Sequence, residues 1–441
     1  MPLRPLSKYH LGEWSRTTLD RLVRTPSFAP QQVREKMALV KKLIGKEAFE
    51  ERIDDYWEDD PEGVPYLICQ LGRRENADFT LFVPSHIDTV KPDPDWATPH
   101  QLGASSLASD RLEGLGAYDE QSSVLNGIRI LREVQVPDGM CVFVAFVGDE
   151  EYRSHAARHI IGNWPHFQSV DAVLSSEIGP LKVPEGDDVM RVILGRRGIL
   201  KTRLHAKLVK GAGHGARPAM PSAYHELAQV YRFFNPDQLD PLPPELRACA
   251  PHLRHHPVLF GAEGPEPGPL GYEEVFAADV SAGSEGLIRP QEAKANYKTL
   301  LVPPSTITSA LRAQAEALER LHVVRQWQSR GIRVTLNKRT DSTSYSPFQV
   351  DPAHPFVGVV SHGIERVSHE APVMAYGDSN ADENLYAMEG GKPTLSVPIK
   401  GGGAHSPQEW VSASDIGRNF IVFRFLIEQA LDRWSDAKRR L

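Results

Sequence analysis

Apolar positions along the chain change period several times, and the changes mark its elements. Leu11, Leu19, Leu22 and Val23 recur at helical spacing, and Pro26 stops the run. A second amphipathic helix is predicted from about Val33 to Ile44. The period then shortens. PYLICQLG and FTLFVPSHIDTV are β-rich runs bounded by polar turns and read as strands. A helix over about Glu120 to Glu133 follows, then CVFVAFVGDEE, a buried strand that closes on three acidic residues. A short helix around Ser154 to Ile161 leads to a further strand, DAVLSSE. Strands and helices alternating in this way indicate an α/β sheet with both faces covered.

The middle of the chain differs. Met190 to Val209 reads as strand material interrupted at Gly195 to Gly198, and a helix is predicted from about Ser222 to Phe234. Pro236 to Gly271 is rich in proline and glycine with little periodicity, as in a loop or insertion. Segments around Val275 to Val280 and Ala293 to Val302 read as strands, Ser305 to Ser329 as a long helix and GIRVTLNK as a strand. Two helices beside a few strands suggest a smaller α+β domain inserted into the chain. From about Ser346 the alternation resumes, through PTLSVPIKGGG, to a final amphipathic helix from about Ser414 to Trp434. The predicted fold class is α/β: a mixed, largely parallel sheet flanked by helices over residues 1–196 and 345–441, with an inserted α+β domain over 197–344.

Composition narrows the function classes. The chain has 441 residues, 41% hydrophobic and 24% charged, which is ordinary globular usage. Fifty Lys+Arg against 57 Asp+Glu leave a formal net charge of -7, which argues against nucleic acid or an anionic membrane as partner. No stretch approaches the roughly 18 apolar residues of a membrane span. The opening MPLRPLSKYHLGEW has early prolines and no apolar core of the signal-peptide kind. Cys69, Cys141 and Cys249 are scattered and odd in number, which fits a reducing, cytoplasmic compartment and excludes a Cys-based zinc knuckle.

Candidate chemistry gathers where predicted strands end, the edge at which open α/β sheets bind ligands. His86 and Asp88 stand in VPSHIDTV, Asp119 in GLGAYDEQ, Asp149, Glu150 and Glu151 after CVFVAFVG, and Glu177 after DAVLSS. Much later His405 follows Gly401, Gly402 and Gly403. Singly, each has a bland reading as a turn, a cap or a solvated face. Together, they show apolar strands repeatedly delivering carboxylate or imidazole to one edge, and such charges need water or a partner. A divalent cation satisfies several carboxylates together, and imidazole with carboxylate but no thiolate suits Zn, Co or Mn.

The segments SHIDTV, GLGAYDEQ, GDEE, SSE, GRRG, GAGHGARP, YGDSNADEN and GGGAHSPQE stand in the order found in a known family. The chain resembles the co-catalytic metallohydrolases that include aminoacylase-1, glutamate carboxypeptidase, acetylornithine deacetylase and succinyl-diaminopimelate desuccinylase. The resemblance runs from Leu11 to the final helix. It implies one or two divalent ions per subunit (Zn, Mn or Co), with His86 on one, His405 on the other and Asp119 bridging both. Glu151 and Glu177 would complete the two shells. Glu150 would be the general base and Asp88 the group that holds the His86 ring. His214 in GAGHGARP would reach the partner subunit's site and stabilise the tetrahedral oxyanion, which implies a homodimer built through the inserted lid domain.

Several positions depart from the family pattern. Tyr152 and Arg153 follow the acidic pair where glycine is frequent. His155 and His159 sit one helical turn apart without the Glu of His-Glu-x-x-His, which favours a surface or supporting role. The lid strand often carries Asp-x-Arg but reads Tyr297-Lys298-Thr299, so Arg289 and Lys298 become the candidates for holding a substrate carboxylate. Asn380 stands where Asp is common. The expected activity is metal-dependent hydrolysis of an amide or peptide C–N bond in a small amino-acid-like substrate. An aminohydrolase removing an amine from a non-peptide carbon, such as that of an aromatic acid, and a non-catalytic binding protein remain the alternatives. No G-x-S-x-G elbow and no phosphate-binding glycine frame is present.

Overall fold

The computed structural model describes residues 11–45, 53–56, 65–94, 96, 110–179, 188–209, 222–227, 270, 274–282, 291–324, 326–328 and 331–440. The chain divides into two compact units, Met1–Arg196 with Gln349–Leu441, and Arg197–Phe348. Among the described residues, no helix is long and apolar enough to cross a membrane.

The first unit is built on a mixed sheet. Its strands follow the order Ile53–Tyr56, Tyr66–Leu71, Met140–Val147, Phe79–His86, Ala172–Ser175, Thr394–Ser396 and Arg191–Arg196. The first two pairings are antiparallel. Met140–Val147, Phe79–His86, Ala172–Ser175 and Thr394–Ser396 then run parallel, so their carboxyl ends open on one edge. Phe79–His86 and Met140–Val147 are buried along their whole length, which explains their near-continuous apolar reading. Alternate side chains serve opposite faces. Leu81, Val83, Val142, Val144 and Phe146 join the large core that includes the helices Glu13–Arg24, Pro30–Ile44, Ser122–Glu133, Pro355–Ser368 and Ala413–Gln429. On the other face Phe82 lies against Trp164, Phe167 and Tyr386, and the Phe143 ring meets Trp164 edge-on at 4.7 Å.

The second unit carries a four-stranded antiparallel sheet ordered Ile332–Lys338, Gly198–Leu208, Glu292–Leu301 and Glu274–Ala282. The helix Ile307–Val324 packs on it. Gly198 is needed where it stands, because a Cβ there would lie 2.4 Å from the Tyr345 carbonyl oxygen.

Three elements differ from the sequence-based expectation. The interruption in Met190 to Val209 is one residue, Arg197, between the strands Arg191–Arg196 and Gly198–Leu208. The long helix ends at Val324 rather than Ser329. Beyond it Gln326 turns at φ 50, and Trp327 buries its ring and donates its indole N–H to Glu226 Oε2 at 2.8 Å. The final helix breaks at Ala430 into Ala413–Gln429 and Leu431–Arg439. The Trp434 indole donates to the Leu426 carbonyl at 2.8 Å, and its ring stacks on Phe79 at 4.8 Å. Burial of this ring outweighs the continuation of a straight helix.

Trp434 therefore ties the end of the chain to the base of the central strand. Trp434→Ala should cost about 3–5 kcal/mol in equilibrium denaturation, the range for emptying a fully buried aromatic site. A loss below about 1 kcal/mol would show that the ring does not hold the terminal helix to the sheet.

Candidate active site

The parallel strands deliver their terminal residues to one edge of the first unit. His86 is the last residue of Phe79–His86, Glu177 follows Ala172–Ser175, and Asp149, Glu150 and Glu151 follow Met140–Val147. Asp119 lies in the tight turn Ala117–Gln121 that opens the helix Ser122–Glu133. His405 sits in a turn at φ 61 after Gly401–Gly402.

Asp88 organises two of these segments. Its backbone carbonyl lies 3.1 Å from His86 Nδ1, and its Oδ1 lies 3.6 Å from the same nitrogen. Its two side-chain oxygens also accept the backbone N–H groups of Glu150 at 3.2 Å and Glu151 at 3.1 Å. A strictly extended backbone would aim Glu150 and Glu151 in opposite directions. Here Asp149 takes φ 70, and the turn it starts is captured by Asp88. Fully buried Asp88 thus couples the end of one strand to the end of its neighbour.

Glu409 does the same for the Asp119 turn. Its carboxylate accepts the N–H groups of Gly116, Tyr118 and Asp119 at 2.9, 3.0 and 3.0 Å. Gly116 sits at φ 76, where a Cβ would meet the Thr89 methyl at 2.6 Å, so the turn requires glycine.

Asp119 stands between the two imidazoles. Its Oδ1 is 2.9 Å from His86 Nε2, and its Oδ2 is 3.1 Å from His405 Nε2. Each ring faces a second carboxylate: His86 Nε2 lies 3.7 Å from Glu177 Oε2, and His405 Nε2 lies 3.1 Å from Glu151 Oε1. Two groups of candidate ligand atoms result, each within 4.8 Å: His86 with Glu120 and Glu177, and Asp119 with Glu151 and His405. The set is nitrogen and oxygen throughout, which suits Zn, Mn or Co.

The electrostatics of the bare cluster explain why it fits cations. Hydrogen bonds to the Asp119 and Glu151 carboxylates push His405 up to about 11. Burial alone would lower His86, but Asp119 and Asp88 hold it well above the usual imidazole range. Burial opposes ionisation of Asp119, yet contact with His405 and His86 keeps it below the ordinary carboxylate range. Glu150 is pushed well above its usual value, first by burial and then by the charges of Glu177 and Glu151. Burial raises Glu120 to about 7 and Asp382 to about 7. A buried site that retains protons so tightly is one where divalent charge can replace them.

The remaining sequence candidates lie elsewhere or outside the description. His214 and Arg289 lie outside the described residues, as does nearly all of Pro236 to Gly271. Lys298 is on the strand Glu292–Leu301 of the second unit. Asn380 occupies the turn between the strand Val373–Gly377 and the helix Asp382–Met388. His155 is at the surface, 3.9 Å from Asp149, and His159 Nδ1 lies 3.3 Å from the Tyr66 hydroxyl. Sequence reasoning assigned no role to Glu120, Glu409, Arg196, Asp382 or Glu383. A signal was present for all five, since they stand inside the quoted segments GLGAYDEQ, GGGAHSPQE, GRRG and YGDSNADEN.

No curated protein matches the chain in sequence. The model of Peptidase family M20/M25/M40 matches residues 82–429. Among solved structures the chain is similar to the di-peptidase Dug1p of Saccharomyces cerevisiae, with TM-score 0.68 and 15% identity over 96% of each chain. It is also similar to human carnosine dipeptidase 1, with TM-score 0.65 and 16% identity over 97% of each chain. A third is the Bacillus subtilis YXEP protein, a dinuclear metal binding peptidase from the M20 family. Its TM-score is 0.60 at 13% identity, over 95% of this chain and 98% of that one. At these identities the structural likeness is one of fold.

Because the folded-state values of His86 and His405 are raised, their contribution to metal-free stability is complete below the ordinary imidazole value near 6.5. It is lost as pH rises through the raised values. At pH 8 the His405 ring, raised to about 11, therefore holds a proton that ligation must expel. Divalent metal uptake at pH 8 should release at least about one proton per chain, and affinity should rise with pH. Calorimetry in buffers of different ionisation enthalpy measures the release, and uptake without it would contradict this charge assignment.

Proposed function

The chain belongs to Peptidase family M20/M25/M40 and is a metal-dependent hydrolase of peptide or amide bonds, and from that premise we propose that it cleaves the C–N bond of a small amino-acid-like substrate with Glu150 as general base. The observation that carries the reading is the placement of Asp119, whose two oxygens each face a different imidazole. His86, Glu177 and Asp119 would hold one divalent ion, and Asp119, Glu151 and His405 a second. When bound, such ions polarise the scissile carbonyl and lower the pKa of water at the site.

The chain's own groups do the rest. Glu150 lines a small cavity of about 20 Å³ together with His86, Glu120 and Glu177, and forms no part of either ligand group. Its raised proton affinity suits a group that takes a proton from the attacking water and returns it to the leaving amine. Asp88 holds the Glu150 and Glu151 amides, so the base and its neighbour keep separate aims. Asn380, Lys298 and Arg289 are the proposed substrate-binding residues, and His214 is the proposed oxyanion-stabilising residue of a homodimer.

Two variants separate these roles. Glu150→Gln should retain metal and fold while kcat falls by roughly 10²–10⁴-fold or more, the span of general acid–base catalysis. Glu151→Gln should lose metal affinity first. The measurements are metal content and turnover for both, on a substrate found by screening dipeptides, N-acyl amino acids and aminobenzoates. Chelation should abolish turnover, and Zn, Mn or Co should restore it. Normal turnover by fully metallated Glu150→Gln would refute the base assignment. Cleavage confined to aminobenzoates would replace the substrate class.

A further inference from the structure

Arg196, the last residue of its strand and 0% exposed, is a buried cation beneath the carboxylate cluster. Its Nε donates to Glu383 Oε2, its Nη2 to the Ile178 carbonyl at 2.7 Å, and its Nη1 reaches the Ser379 hydroxyl at 3.5 Å. Glu383 also accepts from the Ser175 hydroxyl. One guanidinium thus ties the segment carrying Glu177 to the turn and helix that follow Gly377.

The consequence reaches Glu177 through its neighbours. The peptide joining Ile178 and Gly179 is held at both ends, its carbonyl by Arg196 and its N–H by the Tyr118 hydroxyl at 3.2 Å. The Ile178 N–H in turn donates to Glu177 Oε1 at 2.9 Å, which leaves Oε2 facing His86. Room for the guanidinium is made on the adjacent strand. Gly377 pairs with Arg196 at a register shift, and a Cβ there would lie 2.7 Å from Arg196 Nη1. The burial, the fork of donors and the glycine opposite converge on one placement of this side chain.

Resting on the reading of this edge as a metal centre, we propose that Arg196, locked by Glu383, is a positioning residue that aims Glu177 at the ion shared with His86. Removing one member of a buried ion pair leaves an uncompensated charge and threatens the fold, whereas neutralising both is far better tolerated. The test is therefore the double variant Arg196→Met with Glu383→Gln, which keeps an acceptor for Ser175. The probe is Zn, titrated against a competing chelator, alongside thermal unfolding of the metal-free protein.

Metal-free Tm should stay within a few degrees of wild type, while one of two metal equivalents weakens by about 10–100-fold, the usual effect of losing a group that orients a ligand. The equivalent held by Glu151 and His405 should be unchanged. Gly377→Ala keeps both charges but displaces the guanidinium, and should weaken the same equivalent; it decides the matter if the double variant does not fold. Wild-type affinity for both equivalents in a folded variant overturns the positioning role and leaves the metal centre intact. A wild-type chain that takes up no divalent ion overturns the reading of the centre, and the positioning role with it.

Discussion

Everything at the carboxyl edge of the first unit depends on the fact that one buried carboxylate, Asp119, is asked to face two imidazoles at once. Around it Glu120, Glu177 and Asp382 are buried and Glu150 and Glu151 partly so, and desolvation raises the proton affinity of each. Buried carboxylates at this density are unfavourable unless positive charge stands among them. Arg196 supplies one unit through Glu383. Protons on His86 and His405 supply more in the bare chain, and divalent ions supply it in the reading advanced above.

The scaffold meets this constraint by fixing turns rather than side chains. Asp88 captures two consecutive amides after one strand while contacting the histidine that ends its neighbour. Glu409 captures three amides of the Asp119 turn. In both cases a buried carboxylate, which could have been another unpaired charge, is satisfied by backbone N–H groups and determines where the next carboxylate points. The parallel strands beneath are buried on both faces, so the frame that carries these turns is rigid.

Much of the fold was legible because strands buried on both faces read as unbroken apolar runs that end in charge. Helix ends were less so. The apolar stripe of the final helix continues through Trp434 and Ala437, so nothing in its period announces the break at Ala430; the break follows from where the Trp434 ring packs. Trp327 shortens its helix for the same reason. At the site, His86, Asp119, Glu151, Glu177 and His405 stand out because each follows a strand or a glycine run. Arg196 and Glu383 lie inside the quoted segments GRRG and YGDSNADEN but drew no role, because a buried ion pair between residues far apart in sequence looks, from either member, like ordinary surface charge. Lys298 and Asn380 were singled out by departure from a family pattern, which says what is missing and not which side chain replaces it.

The most direct test of the central claim is anomalous diffraction from crystals of the zinc-loaded protein at the metal edge. Two peaks are expected, one between His86 and Glu177 and one between Glu151 and His405, with Asp119 contacting both. Peaks at other residues, or none with the protein fully active, would contradict the account.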